Sequence, residues 1–185
     1  MTALQQALVN WAVAIANDNR YHYYYYYQGD SNLGPWGFDC ATYNSYTIYK
    51  AMGWTDWPSS THGGIGYFWP HINDESQGAF DFLTYNGWQK YRYSSSLLTE
   101  GAIIVTDETL GHSLMYIGNG QLCDANDFGG TDFGPNSIAV RSFPYYDPAH
   151  FYYIFLPPDV PPGPGPGPLP GRYSPRTFIK RRGLR

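Results

Sequence analysis

Leu4, Leu8, Trp11 and Ile15 recur at spacings of four, three and four, the repeat of one helix face. Thr2 and Gln5 stand where a capping box needs them. The pattern predicts a helix that opens at Thr2 and ends at Asn17-Asp18-Asn19. A second helix is predicted over residues 40–52, with Cys40, Tyr43, Thr47 and Ala51 on one face and Gly53 as its stop. A weaker helical pattern covers 77–85. After residue 100 the repeat shortens. Runs at 102–105, 113–117, 121–124, 138–141 and 151–155 read as strands, and Asn119-Gly120 is a hairpin turn between two of them. Helices first and an antiparallel sheet second is the order of an α+β domain.

The pattern stops at a proline-rich stretch. Residues 157–171 carry 8 of the 15 prolines, alternating with glycine from Pro162 to Gly167. Proline lacks the amide donor that helices and inner strands require, so this is an extended linker. The chain therefore divides into a folded domain, 1–156, a linker, 157–171, and a basic tail, 172–185.

Charge sharpens that division. Residues 1–160 hold all 15 acidic residues and five basic ones, a net of −10, whereas 161–185 hold six basic residues and no acid. An acidic body is a poor partner for nucleic acid, while the tail suits an anionic polymer or surface. The 43% hydrophobic content is enough for a core. No apolar run approaches the roughly 18 residues of a membrane helix. The first residues lack the basic start of a secretory signal peptide.

Few chemistries survive the residue inventory. The five histidines include no His-x-x-x-His pair, and Cys40 and Cys123 form no Cys-x-x-Cys, so neither a metal nor a cofactor is expected. No glycine-rich phosphate or dinucleotide loop is present. A carboxylate pair could be drawn from the 12 aspartates, but no local pattern selects one. What is left is thiol with imidazole. Cys40 falls where a loop turns into a helix, and a helix N-terminus favours the thiolate. His112 opens a strand and is placed to take a thiol proton, given a third group to orient its ring. Against this stands the ordinary reading of Cys40 as a small core residue and His112 as a strand-end residue.

The words around both residues tip that balance. Gly34-Pro35-Trp36-Gly37-Phe38-Asp39-Cys40 resembles the nucleophile motif of the NlpC-type cell-wall peptidases, a compact papain-like family. Gly111-His112-Ser113-Leu114-Met115-Tyr116-Ile117-Gly118-Asn119-Gly120 resembles that family's histidine strand and hairpin. The resemblance runs in order from about Tyr21 to Phe155. The segment from Trp11 to Tyr27 is similar to phage-encoded lytic enzymes of this type. The resemblance implies a papain-like α+β fold, with the cysteine helix packed on an antiparallel sheet. It implies Cys40 as nucleophile, His112 as base and, 12 residues further on, Asp124 as the third residue, with Asn126 as the alternative. Family members commonly carry His, Asn or Gln at that third position. Tyr27, Asp39 and Trp36 are the implied substrate contacts.

The implied activity is hydrolysis of an amide bond in the peptide stem of peptidoglycan, as an endopeptidase. The alternatives are an amidase cutting the sugar–peptide link, or a non-catalytic wall-binding or virion module. The expected partners are bacterial peptidoglycan and, through the tail, other virion proteins. The expected setting is the host cytoplasm followed by the wall, or a virion.

Strand geometry constrains the third residue. A two-residue Asn119-Gly120 turn would pair Met115 with Asp124 and send Asp124 to the face opposite His112. A three-residue Gly118-Asn119-Gly120 loop with a bulge pairs Leu114 with Asp124 and His112 with Asn126. Asp124 then shares the face of His112, on a diagonal of about 7–8 Å. The triad needs the second register. Cys123 is expected in the core, and His62 and His71 at the surface. For Tyr21, the tyrosines at 23–27, Trp54, Trp57, Trp69 and Trp88, core packing and stacking on a ligand both stay open.

Overall fold

A computed structural model of the chain describes residues 1–23, 37–53, 83, 87–107, 110–126 and 137–158. Helix α1 (Ala3–Ala16) begins on the capping box. Thr2 Oγ1 accepts from the Gln5 amide at 3.2 Å, and Gln5 Oε1 accepts from the Thr2 amide at 2.6 Å. The buried stripe is Leu4, Leu8, Ala12 and Ile15, with Ala12 in the place expected of Trp11. One helical turn links residue 8 to 12 as well as to 11, and the smaller side chain turns inward. Tyr43 of the next helix donates its hydroxyl to the Ala12 carbonyl at 2.9 Å, a contact a bulky side chain would crowd. Trp11 stays at the surface, with Lys50 Nζ 4.7 Å from the centre of one of its rings.

Helix α2 (Cys40–Ala51) ends one residue before the expected limit. The Met52 amide still reaches the Ile48 carbonyl, and Gly53 turns the chain at φ 69°, a conformation open to glycine at no steric cost. Strands β1 (His22–Tyr23) and β2 (Gly37–Phe38) form a parallel pair too short to show any period in sequence.

Six further strands build one sheet: β3 (Gln89–Arg92), β4 (Ile103–Thr106), β5 (Ser113–Gly118), β6 (Gln121–Ala125), β7 (Ile138–Ser142) and β8 (Phe151–Leu156). Their order is β3-β8-β4-β5-β6-β7, and every pairing is antiparallel. Five match expected strands within a residue at either end. The pattern missed β3, an edge strand whose Gln89, Lys90, Tyr91 and Arg92 are mostly exposed. Of the helical pattern at 77–85 only Leu83, helical and buried, lies among the described residues.

Both sheet faces are covered. Met115, Ile117, Cys123 and Phe155 pack toward Leu4, Leu8, Tyr43 and Ile48 of the helices. Ile104, Leu114, Leu122, Tyr146, Phe151 and Ile154 form a second apolar layer. Alternation along the strands sorts the residues: Ile103 and Val105 join the helix side, Ala102 and Ile104 the other. Helix α1 packs on α2 and on β5 to β7, and α2 packs on β5 and β6.

The β5–β6 hairpin combines features of both expected registers. Asn119 (φ 51°) and Gly120 (φ 66°) are left-handed, as a two-residue type I′ turn requires, and Gly118 pairs with Gln121. A bulge between Tyr116 and Gly118 then shifts the ladder, so Tyr116 faces Leu122 and Met115 faces Cys123. Continued along the ladder, that register sets Leu114 opposite Asp124. No helix among the described residues is long and apolar enough to cross a membrane. Beyond Pro158 the expected linker and tail lie outside the described residues.

Candidate active site

Cys40 is the first residue of α2, partly exposed, and its thiol is free, as is that of buried Cys123. Two side chains fasten its carbonyl oxygen. Asn44 Nδ2 donates to it at 3.0 Å and Ser113 Oγ at 3.2 Å, and Asn44 Nδ2 also reaches Ser113 Oγ at 3.0 Å. Ser113 follows His112, so this bridge ties the start of the helix to the head of β5.

His112 is buried, and Thr106 on β4 brackets its backbone. The His112 amide donates to Thr106 Oγ1 at 2.7 Å, and that hydroxyl donates to the His112 carbonyl at 3.0 Å. His112 Nε2 lies 3.0 Å from Asp124 Oδ2. With Nε2 engaged by Asp124, Nδ1 is the ring nitrogen left for Cys40, whose side chain acts on the imidazole and helps raise its pKa. The bulged register makes this possible. Asp124 falls on the non-helix face with Leu122 and Leu114, and its side chain reaches diagonally to the head of β5.

Asp124 is fully buried, so its charge must be answered within the protein. Arg141 Nε donates to Oδ1 at 2.7 Å. Its position follows from β6–β7 pairing. Asp124 faces Ala139, so Arg141, two residues on, is the diagonal neighbour on the same face. Oδ2 receives the Tyr146 hydroxyl as well as the imidazole. Asn126 Nδ2 donates to that same Tyr146 oxygen at 2.5 Å.

The titrations follow from these contacts. Burial opposes charge on His112, but the influence of the Cys40 side chain, the bond to Asp124 and the Asp124 charge outweigh it. The His112 pKa is raised to about 10. Burial also opposes charge on Asp124, yet the bond to His112, the His112 and Arg141 charges and the Tyr146 hydroxyl hold it below the usual carboxylate value. Burial and the neighbouring carboxylate push the Tyr146 phenol up, so it stays a donor. The site sets imidazolium, carboxylate and guanidinium in a row, with the Cys40 side chain beside the imidazole.

Cys40, His112 and Asp124 thus come together. Asn126 reaches Tyr146 and touches the imidazole system at one remove. Asp39 is buried, and its carbonyl accepts the Tyr43 amide at 2.9 Å, the first bond of α2. Trp36 and Tyr27 lie outside the described residues. Sequence reasoning missed Arg141, Tyr146, Thr106, Asn44 and Ser113. Arg141 was within reach, because a strand at 138–141 paired to 121–124 brings its one cation beside Asp124. Tyr146 carried no such signal in a chain of 19 tyrosines. Among the described residues no group of three or more His, Cys, Asp or Glu side chains is placed to hold a metal.

No family model matches the chain, and no curated protein does. Among solved structures, NlpC2 from Trichomonas vaginalis aligns with a TM-score of 0.47 and 15% identity. The alignment covers 84% of this chain and 46% of that one, so this chain spans less than half the length of that protein.

Proposed function

We propose that this chain is a cysteine hydrolase that cuts an amide bond in the peptide stem of peptidoglycan, as an endopeptidase, on a papain-like arrangement of helix and sheet. The supporting observation is the buried His112–Asp124 pair, 3.0 Å apart, with the Cys40 side chain near enough to help raise the pKa of the same ring. The substrate class rests on the resemblance of the Cys40 and His112 motifs to wall peptidases.

In this mechanism the Cys40 thiolate attacks the scissile carbonyl carbon and forms a carbon–sulfur bond. The carbonyl oxygen gains negative charge beside the first amides of α2, among them that of Cys40, which have no partner within the helix. The tetrahedral species collapses, and the His112 imidazolium gives its proton to the leaving amine. Neutral His112 then takes a proton from water, whose oxygen attacks the thioester. Collapse releases the acid and restores the thiolate and imidazolium. Asp124 keeps the ring oriented and its cation stabilised throughout. The residues alone supply this chemistry.

The test is digestion of purified cell walls by the wild-type chain and by Cys40→Ala, with mass analysis of the released fragments. Cuts between stem residues by the wild type alone are expected. Cuts at the sugar–peptide link would make the chain an amidase using the same residues. Equal release by Cys40→Ala, or none by the wild type, would overturn the reading.

A further inference from the structure

We propose that Tyr146 is a positioning residue for His112 that acts through Asp124: its hydroxyl shares Oδ2 with the imidazole and limits how tightly the carboxylate holds the imidazolium proton. The proposal rests on the roles given to Cys40, His112 and Asp124 above.

The direction of each hydrogen bond around the phenol is fixed by elimination. Among the described residues, Tyr146 Oη bonds Asp124 Oδ2, His112 Nε2 at 3.1 Å and Asn126 Nδ2 at 2.5 Å. The amide nitrogen of Asn126 only donates, and an imidazolium N–H only donates. The single phenolic hydrogen therefore goes to Asp124, and the oxygen accepts from the other two. Asn126, by donating to the phenol, makes it a better donor in turn.

This arrangement addresses a problem that a buried carboxylate creates. An imidazolium bonded to an unshared buried carboxylate is held too firmly charged to be a good acid, since proton transfer works best when donor and operating pH are matched. Here Asp124 divides its charge three ways. Oδ1 serves Arg141, and Oδ2 serves both His112 and Tyr146. Among the described residues, the groups that act on this centre are Cys40 and Tyr43 from α2, Cys123 from β6, Arg141 from β7 and Tyr146 itself. Tyr43 and Cys123 are neutral, because burial drives the phenol well above its ordinary value and the thiol up to about 12. Of these groups, Tyr146 is the neutral one whose hydroxyl bonds the same carboxylate oxygen as His112. Its ring also packs against the imidazole, centroids 5.0 Å apart, so Tyr146→Phe removes the hydroxyl and keeps the packing.

The experiment combines turnover of soluble peptide-stem fragments with NMR titration of the His112 ring, assigned with a His112→Gln chain. In Tyr146→Phe, kcat should fall about tenfold with KM little changed, the scale of one hydrogen bond to a charged group. The His112 midpoint should move upward by about half a unit or more, because leaving Oδ2 to the imidazole outweighs the loss of the neutral phenol oxygen as a second acceptor. Asp124→Asn should move the same midpoint downward. Asn126→Ala should shift it upward by less, and carries the test if Tyr146→Phe does not fold. A fall in kcat with the midpoint unmoved or lowered would assign Tyr146 a purely structural part and overturn the proposal, as would an unchanged kcat. Cys40→Ala separates the two levels. If it still turns over, the assignment of the nucleophile fails, whereas the His112 titration still reports on Tyr146.

Discussion

Arg141→Met tests whether the guanidinium is what permits a charged carboxylate in the interior. The methionine keeps most of the aliphatic stem and deletes the donor to Asp124 Oδ1, 2.7 Å away. The Asp124 side chain is 0% exposed and that of Arg141 11%, which places the pair among buried ion pairs. Removing one partner of such a pair costs about 3–5 kcal/mol, because a charge is left without its counterpart. His112 still answers Oδ2, so we expect the lower end, about 3 kcal/mol. That is a large share of the roughly 5–15 kcal/mol that holds a domain together. Urea unfolding of the wild type, Arg141→Met, Asp124→Asn and the double variant would read it as a double-mutant cycle. The double variant should be more stable than the sum of the single losses implies, by at least about 1 kcal/mol. The sign with pH follows from the lowered pKa of Asp124. Its stabilising charge is fully present above the unfolded value of about 3.9. The loss in Arg141→Met should therefore stand at neutral pH and shrink as pH falls below that value toward the lowered one. A cost below about 1 kcal/mol, typical of an exposed pair, with no coupling in the cycle, would refute the reasoning.

Cys40→Ala and His112→Ala should each abolish wall hydrolysis, with Cys40→Ala keeping the wild-type circular dichroism spectrum; lysis by either chain would remove the mechanism. Asp124→Asn removes two of the effects that raise the His112 pKa to about 10, so the alkaline fall in activity, which in the wild type follows loss of the imidazolium proton, should move to lower pH. A pH–rate profile with an unmoved alkaline limb would count against Asp124 as its partner. Gly118 sits at φ 91°, and a side chain there would also meet Glu100 Cγ at 2.8 Å. Gly118→Ala should cost about 1–3 kcal/mol in thermal or urea unfolding, and a neutral result would show that the bulge does not depend on this glycine.

Most of the frame could be read from residues. Thr2 and Gln5 announced the start of α1, and the apolar runs after residue 100 gave five strands of the sheet. Trp11 misled because a helix repeat cannot say which of two adjacent positions turns inward; the approach of Tyr43 decides for Ala12. Strand β3 hid because an edge strand with solvent on its flank carries no apolar alternation. The hairpin was legible as two alternatives, and the fold uses the turn of one with the register of the other. Cys40, His112 and Asp124 were singled out through the resemblance of local motifs, and the register was the condition that Asp124 had to meet. Arg141 and Tyr146 were not singled out, because a single cation in a strand looks like an ordinary solvated charge until its neighbour across the ladder is known. Asn44 and Ser113 act through a contact 69 positions apart in sequence, which no local pattern reports.

The order of the strands has a consequence for biosynthesis. Cys40 leaves the ribosome well before its partners on the sheet, for Ser113, whose side chain helps fix it, follows 73 positions later. His112, Asp124 and Arg141 then arrive together on neighbouring strands. The last strand, β8, nevertheless takes an interior place, between β3 and β4. A nascent chain still short of Phe151 holds β3 on one side and β4 to β7 on the other, with nothing to join them. The helix that opens on Cys40 is made early, and the sheet beside it closes only once β8 is in place. A copy that ends before Phe151 lacks the strand that joins β3 to β4, and Cys40 in it stands beside an incomplete sheet.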